Sequence, residues 1–215
     1  MASAQINPTR MELTRLKKKL ATAVRGHKLL KDKRDELMRR FLDMARLNRA
    51  LREKVEKAIK AANNNFVLAS TSMTPQALST ALLASKQEVY LDVAYNNVMS
   101  VDIPVYSVRT RTPDESDIYS YGLAFTSSDL DDAVASLSSV LPDMLKLAEI
   151  EKSCQLLSAE IEKTRRRVNA LEHVMIPETR EKIRYITMKL DENERATQTR
   201  LMKVKEMVLK KAHGY

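Results

Sequence analysis

The chain has 215 residues, 44% hydrophobic and 30% charged, with only 3 glycines, no tryptophan and 5% aromatics. Phosphate-cradling loops need closely spaced glycines to bring backbone N–H groups onto the anion. Gly26, Gly122 and Gly214 are far apart, which excludes Walker-type and dinucleotide-type loops, while the net charge of +9 divides into +11 over residues 1–62, −6 over 63–141 and +4 over 142–215.

Asn7-Pro8 opens the first arm, with Asn as the expected cap and Pro at a position whose N–H would be unpaired anyway. From Thr9 to Ala62 there is no further proline. Every seventh residue from Leu13 gives Leu13, Leu20, His27, Arg34, Phe41, Asn48, Val55 and Ala62. Between them lie Leu16, Ala23, Leu30, Leu37, Met44, Leu51 and Ala58, all apolar. Sustained heptads of this kind predict a coiled-coil helix.

The middle, residues 63–141, changes character. Thr74-Pro75 predicts a short helix through about Ala84. Glu88–Tyr95 and Val101–Arg109 are rich in Val, Ile and Tyr and read as strands, with Asn96-Asn97 as the turn between them. Asp114–Ser120 reads as a polar loop and Ser127–Leu141 as another helix. This region is expected to form a small mixed α/β cap.

A second arm is expected from about Pro142 to about Ala212. Leu147, Cys154, Ile161, Val168 and Met175 repeat at seven, with Ile150, Leu157, Thr164 and Leu171 between them. After Pro177 the stripe restarts as Ile183, Ile186, Leu190, Thr197, Leu201, Val204 and Val208. A 4-4-4 step, Leu171-Met175-Thr179-Ile183, shifts the register by one, and a kink is expected near Pro177. The two stripes bury each other most simply as an antiparallel hairpin with residue numbers across the seam summing to about 204. Gly26 would then lie level with Pro177, and Leu201, Val204 and Val208 would form an apolar stripe on a projecting tip, which calls for another protein around it.

The fold class is therefore mainly α: an antiparallel two-helix coiled coil, residues 1–62 and 142–215, joined by the α/β middle with its short β-hairpin. Cys154 is a single cysteine on an apolar stripe and reads as a small buried hydrophobe in a reducing compartment. No stretch of 18 apolar residues and no apolar leader occurs, so the expectation is a cytoplasmic protein without membrane insertion. His27, His173 and His213 lack metal-ligand spacing, and no nucleophile–base arrangement has a local signature. No cofactor, metal site or catalytic residue is expected. Lys17-Lys18-Lys19 and Arg165-Arg166-Arg167 wrap around their helices, and without aromatic platforms they do not read as a nucleic-acid surface.

The segments Asn7-Pro8-Thr9-Arg10, Arg25 through Asp35, Lys163 through Pro177, and Asn97-Val98-Met99-Ser100-Val101 through Pro104 resemble the D-subunit family of V-type (vacuolar/archaeal-type) ATPases. The resemblance implies a non-catalytic central-stalk rotor shaft, peripheral to the membrane through its complex. The implied partners are the catalytic and regulatory subunits of a hexamer, the small F subunit of the stalk, and a funnel-shaped subunit linking to the membrane ring. Combined with the hairpin geometry, it points to Arg10, Arg15, Lys17, Arg195, Arg200, Leu201, Lys203, Val204 and Val208 as hexamer contacts. Val89, Leu91, Val93, Val101, Ile103 and Val105 are the expected rotor-partner contacts. The rival reading is a cytosolic coiled-coil scaffold or tether without a rotary role.

Overall fold

The computed structural model describes residues 7–122, 126–212 and 214. Its elements in chain order are helix α1 (Arg10–Ser72), helix α2 (Pro75–Ala81), strands β1 (Val89–Val98) and β2 (Val101–Thr110), a 3-10 turn (Glu115–Ile118), helix α3 (Ser128–Ala170), a π turn (Leu171–Met175) and helix α4 (Ile176–Ala212). The chain divides into two compact units, residues 1–34 with 163–215, and residues 35–162. His213 lies outside the described residues.

Thr9, rather than Asn7, caps α1. Its hydroxyl accepts the Glu12 N–H at 3.2 Å, which makes Thr9-Arg10-Met11-Glu12 the local signal. In the first unit, the buried positions on α1 are Leu16 and Ala23, with Leu13, Leu20 and Leu30 half-buried. Opposite them stand Thr164, Val168, Thr179 and Ile186, all buried. The Arg10–Glu194 ion pair and the His27–Glu172 contact show that numbers fall along one side of the seam as they rise along the other. The arrangement is antiparallel, with sums close to the expected 204.

The register change takes a different form from the expected 4-4-4 step. The Ile176 N–H bonds to the Leu171 carbonyl, five residues back, so one extra residue is taken up in a single π turn. The seam passes from Leu171 to Ile176 and continues through Thr179, Ile183, Ile186 and Leu190. Met175, expected on the stripe, is turned outward and 42% exposed. Proline alone does not force this, because Pro142 sits inside α3 with the helix continuing through it. The spacing of apolar residues does. The His27–Glu172 pair places the neighbourhood of Gly26 beside the π turn.

In the second unit, α1 continues past Ala62 to Ser72 because the heptad does: Ala62 and Ala69 are both completely buried. Asn63 and Asn64 are exposed helical residues rather than a stop. Likewise Ser128–Leu141 is not a separate helix but the start of α3. Ala69, Ala81 and Leu130 form one core, flanked by Phe66, Met73, Leu78, Tyr121 and Val134. Leu37, Val101, Leu157 and Ile161 form another, flanked by Phe41, Met44, Met99, Ile103 and Leu156. Arg52–Glu151, Lys54–Asp143 and Ser72–Asp129 pair across the helices, again antiparallel. Thr74 caps α2 as expected, accepting the Ala77 N–H at 3.4 Å, but the helix ends at Ala81.

β1 and β2 pair antiparallel from Val89↔Thr110 to Val98↔Val101. The turn is Met99-Ser100, both at positive φ, and not Asn96-Asn97, which lie in β1. Asn97 shapes the turn from outside it: its side-chain carbonyl accepts the Ser100 N–H at 3.2 Å and its amide donates to Asp102 at 2.6 Å. The asparagine signal thus marks the turn from just before it.

Candidate interaction surfaces

In the first unit, every residue from Asp191 to Ala212 is exposed. The seam ends at Leu190, and Arg10, the first residue of α1, pairs with Glu194. Helix α4 therefore carries Leu201, Met202, Val204, Met207, Val208 and Leu209 in solvent at 48–65% exposure. Arg195, Arg200 and Lys203 are exposed on the same stretch. Arg10, Arg15 and Lys17 are exposed on the first turns of α1, with Arg15 3.6 Å from Glu12. All nine residues expected to form one contact surface thus lie in one unit and are accessible. Apolar side chains repeating along a basic helix fit a collar of partner surface.

The hairpin of the second unit divides the expected rotor-partner contacts into two sets. Val89, Leu91, Val93 and Val105 are exposed by 40–45%. Val101, at 7%, and the half-buried Ile103 instead pack in the Leu37 core and hold the hairpin tip against the helices. Alternation along the strand could not distinguish these roles. The packing of β2 against α3 does: the Tyr106 N–H is donated to Glu149 Oε2 at 3.2 Å.

Charges toward the open end of the hairpin are matched internally. Asp92 and Arg109 pair at 2.6 Å, and that hydrogen bond raises the Arg109 pKa further. Glu88 and Arg111 pair at 3.5 Å. At the open end, Gln87 bonds the Thr112 backbone from both sides. Lys86 pairs with Asp117, and hydrogen bonds from Lys86 and then Thr112 hold the Asp117 carboxyl below the usual carboxylate range.

Two features carry little signal in the sequence. A groove of about 1110 Å³ lies between the open end of the hairpin and α3, lined by Leu82, Val89, Val108, Tyr119, Leu137 and Met144 among others. Leu82 and Leu83, 47% and 85% exposed, follow α2 in the same unit. Their one cue is an apolar pair just beyond a short helix. His27 also has a carboxylate partner, Glu172 Oε2 at 3.4 Å, which sequence spacing does not reveal. Cys154 is half-buried and burial pushes its thiol pKa up, the environment of a packing residue.

Among the described residues no cluster of three His, Cys, Asp or Glu side chains is arranged for a metal ion. No described helix is long and apolar enough to cross a membrane. What the geometry provides is surface for other chains.

Comparison with known proteins agrees with that. The family profile for the D subunit of ATP synthases matches residues 12–206. The V-type ATP synthase D subunit of Acetivibrio thermocellus is 60% identical over 215 residues, covering 100% of this chain and 97% of the relative. The protein of the same description from Clostridioides difficile is 60% identical over 212 residues, covering 99% and 95%. That from Thermoanaerobacter sp. (strain X514) is 53% identical over 210 residues, covering 98% and 100%.

Proposed function

The chain belongs to the ATP synthase D-subunit family, and from that premise we propose that it is the non-catalytic rotor shaft of a V-type ATPase. Its work is to couple ATP hydrolysis or synthesis in a catalytic hexamer to ion transport across the membrane. The observation that carries this reading is the α4 segment Asp191–Ala212, exposed throughout and apolar along part of its surface. Such a segment is complete only inside a partner.

In this reading the partners are the catalytic and regulatory subunits of the hexamer around α4 and the start of α1. The small F subunit of the stalk and the funnel-shaped subunit above the membrane ring meet the second unit. Arg10, Arg15, Lys17, Arg195, Arg200 and Lys203 supply polar contacts to the hexamer, and Leu201, Val204 and Val208 sit in its bearing. Val89, Leu91, Val93 and Val105 serve the rotor partners.

The coupling follows from asymmetry. Two unlike helices present different side chains to chemically similar hexamer subunits, so each subunit's preferred state is biased by the face it meets. Turning the helices passes each bias to the next subunit. The continuous seam in each unit resists unwinding under load, which a single exposed helix could not do.

The direct test is rotation. With the complex fixed by its hexamer and a bead on an exposed cysteine introduced in the second unit, ATP should turn the bead in one direction. A stationary bead during undiminished hydrolysis would refute the shaft. Replacing the six basic residues by Gln should lower torque and coupling.

A further inference from the structure

We propose that the outer edge of β1 is a docking strand, completed in the assembled ATPase by an extended β-strand of another subunit. The proposal deepens the reading of the hairpin as a rotor-partner contact and rests on it.

The ladder fixes which backbone groups point outward. The Arg111 N–H bonds to the Glu88 carbonyl at 2.9 Å, so Glu88 and Arg111 occupy a hydrogen-bonded position. The register puts Tyr90, Asp92, Ala94, Asn96 and Val98 in the same phase. In an antiparallel pair the alternate residues turn their N–H and C=O groups away from the partner strand. On β1 these are Val89, Leu91, Val93, Tyr95 and Asn97. On β2 they are Asp102, Pro104, Tyr106, Val108 and Thr110.

The two edges are treated differently. On β2, Pro104 has no N–H and is buried, and the Tyr106 N–H is taken by Glu149 of α3. The middle of that edge is blocked by a proline and a helix, two of the ordinary means by which sheet edges are protected, while Asp102, Val108 and Thr110 on either side are exposed. On β1 nothing comparable occurs among the described residues. Every residue from Val89 to Asn97 is exposed, and no proline, lysine or arginine lies between them. A row of outward donors and acceptors at every second residue matches one backbone shape, an extended strand.

Side chains and charge fit the same occupant. Val89, Leu91, Val93 and Tyr95, on one face, are 40–71% exposed and would flank the added strand. The nearby charges are already paired, Asp92 with Arg109 and Glu88 with Arg111. The incoming strand therefore needs apolar alternation and no charge of its own.

The test uses residue-resolved amide exchange on the isolated chain and on the intact complex, together with two variants. Strand addition predicts that assembly slows exchange at Leu91, Val93 and Tyr95 by about tenfold or more, roughly the value of one hydrogen-bond-sized stabilisation. Asp92 and Ala94, bonded within the hairpin, should change little. Val93→Pro removes one outward N–H without touching the β1–β2 ladder and should release the partner. Val93→Thr keeps the N–H and the branched shape and should retain it. Unchanged exchange at Asp92 and Ala94 in Val93→Pro confirms that its hairpin still forms.

If Val93→Thr releases the partner as readily as Val93→Pro, without alternating protection, the faces are the contact and strand addition is wrong while the rotor-partner reading stands. If neither variant releases anything and no β1 amide is protected, both readings fall. If alternating protection appears in the isolated chain on self-association, the occupant is a second copy and the proposal is overturned.

Discussion

Leu37 is completely buried where α1, α3 and the hairpin tip converge, against Val101, Leu157 and Ile161. Leu37→Ala removes three carbons from that point. At about 0.8 kcal/mol per buried methylene the transfer loss alone is about 2.4 kcal/mol. A cavity then remains, because α1 and α3 are held apart by the seam residues above and below it. Met99 and Ile103 of the hairpin tip border the site and can settle partly into it. Buried Leu→Ala changes cost about 2–5 kcal/mol, and partial settling of the tip places this one at about 3–4 kcal/mol. Urea unfolding followed by helical circular dichroism measures it, with Leu29→Ala on the same helix, 70% exposed, as the control. The control should move by less than about 0.5 kcal/mol. A Leu37→Ala loss under about 1 kcal/mol would mean that the hairpin does not share a core with the helices, and the role of Val101 as its anchor would fail with it.

Gly26→Ala should stabilise the chain by about 1 kcal/mol, since a mid-helix glycine carries an entropic penalty and an added Cβ meets nothing within 4 Å. A lower thermal midpoint would show that the missing side chain is needed in the folded state. For Asp117 the folded pKa lies below the ordinary 3.8, so the Lys86 contact contributes stability above that value and loses it as pH falls through the depressed one. A carboxyl NMR titration should give a midpoint under 3.8 that rises in Lys86→Met, and a midpoint unchanged between the two would remove Lys86 as the cause.

The helical seams were legible in the sequence because a periodicity of about 3.5 residues runs through them on either side of the π turn: Leu16, Leu37, Val55, Leu157, Ile161, Val168 and Ile186 fall buried as it requires, and Met175, inside the turn, does not. Their ends were less legible. Asn63-Asn64-Asn65 and Pro142 carry strong local stop signals, yet Ala69 and Leu130 bury fully only if both helices run on. Tertiary packing overrode propensity there. The tip Leu201, Val204 and Val208 was readable as exposed because its stripe runs on past the level of Arg10, where α1 begins. The hairpin contact was readable only in part: which side of a strand faces outward depends on the pairing register and on Glu149, 43 residues away from Tyr106. Met99-Ser100 gave no warning, since neither residue favours positive φ.

The π turn has a consequence for anyone recombining this chain with its relatives. One residue of helix is about 100° of rotation, so the turn acts as a phase offset between the helix before Leu171 and the helix after Ile176. A chimera joined inside α3, ahead of Leu171, keeps α4 in phase only if the segment brought in carries the same extra residue. Without it, Thr179, Ile183 and Ile186 would swing out of the seam and their charged neighbours Arg180 and Arg184 would swing toward it. The five residues Leu171–Met175 therefore behave as a reading frame written in angle, and a one-residue error there is transmitted to every contact that α4 makes downstream.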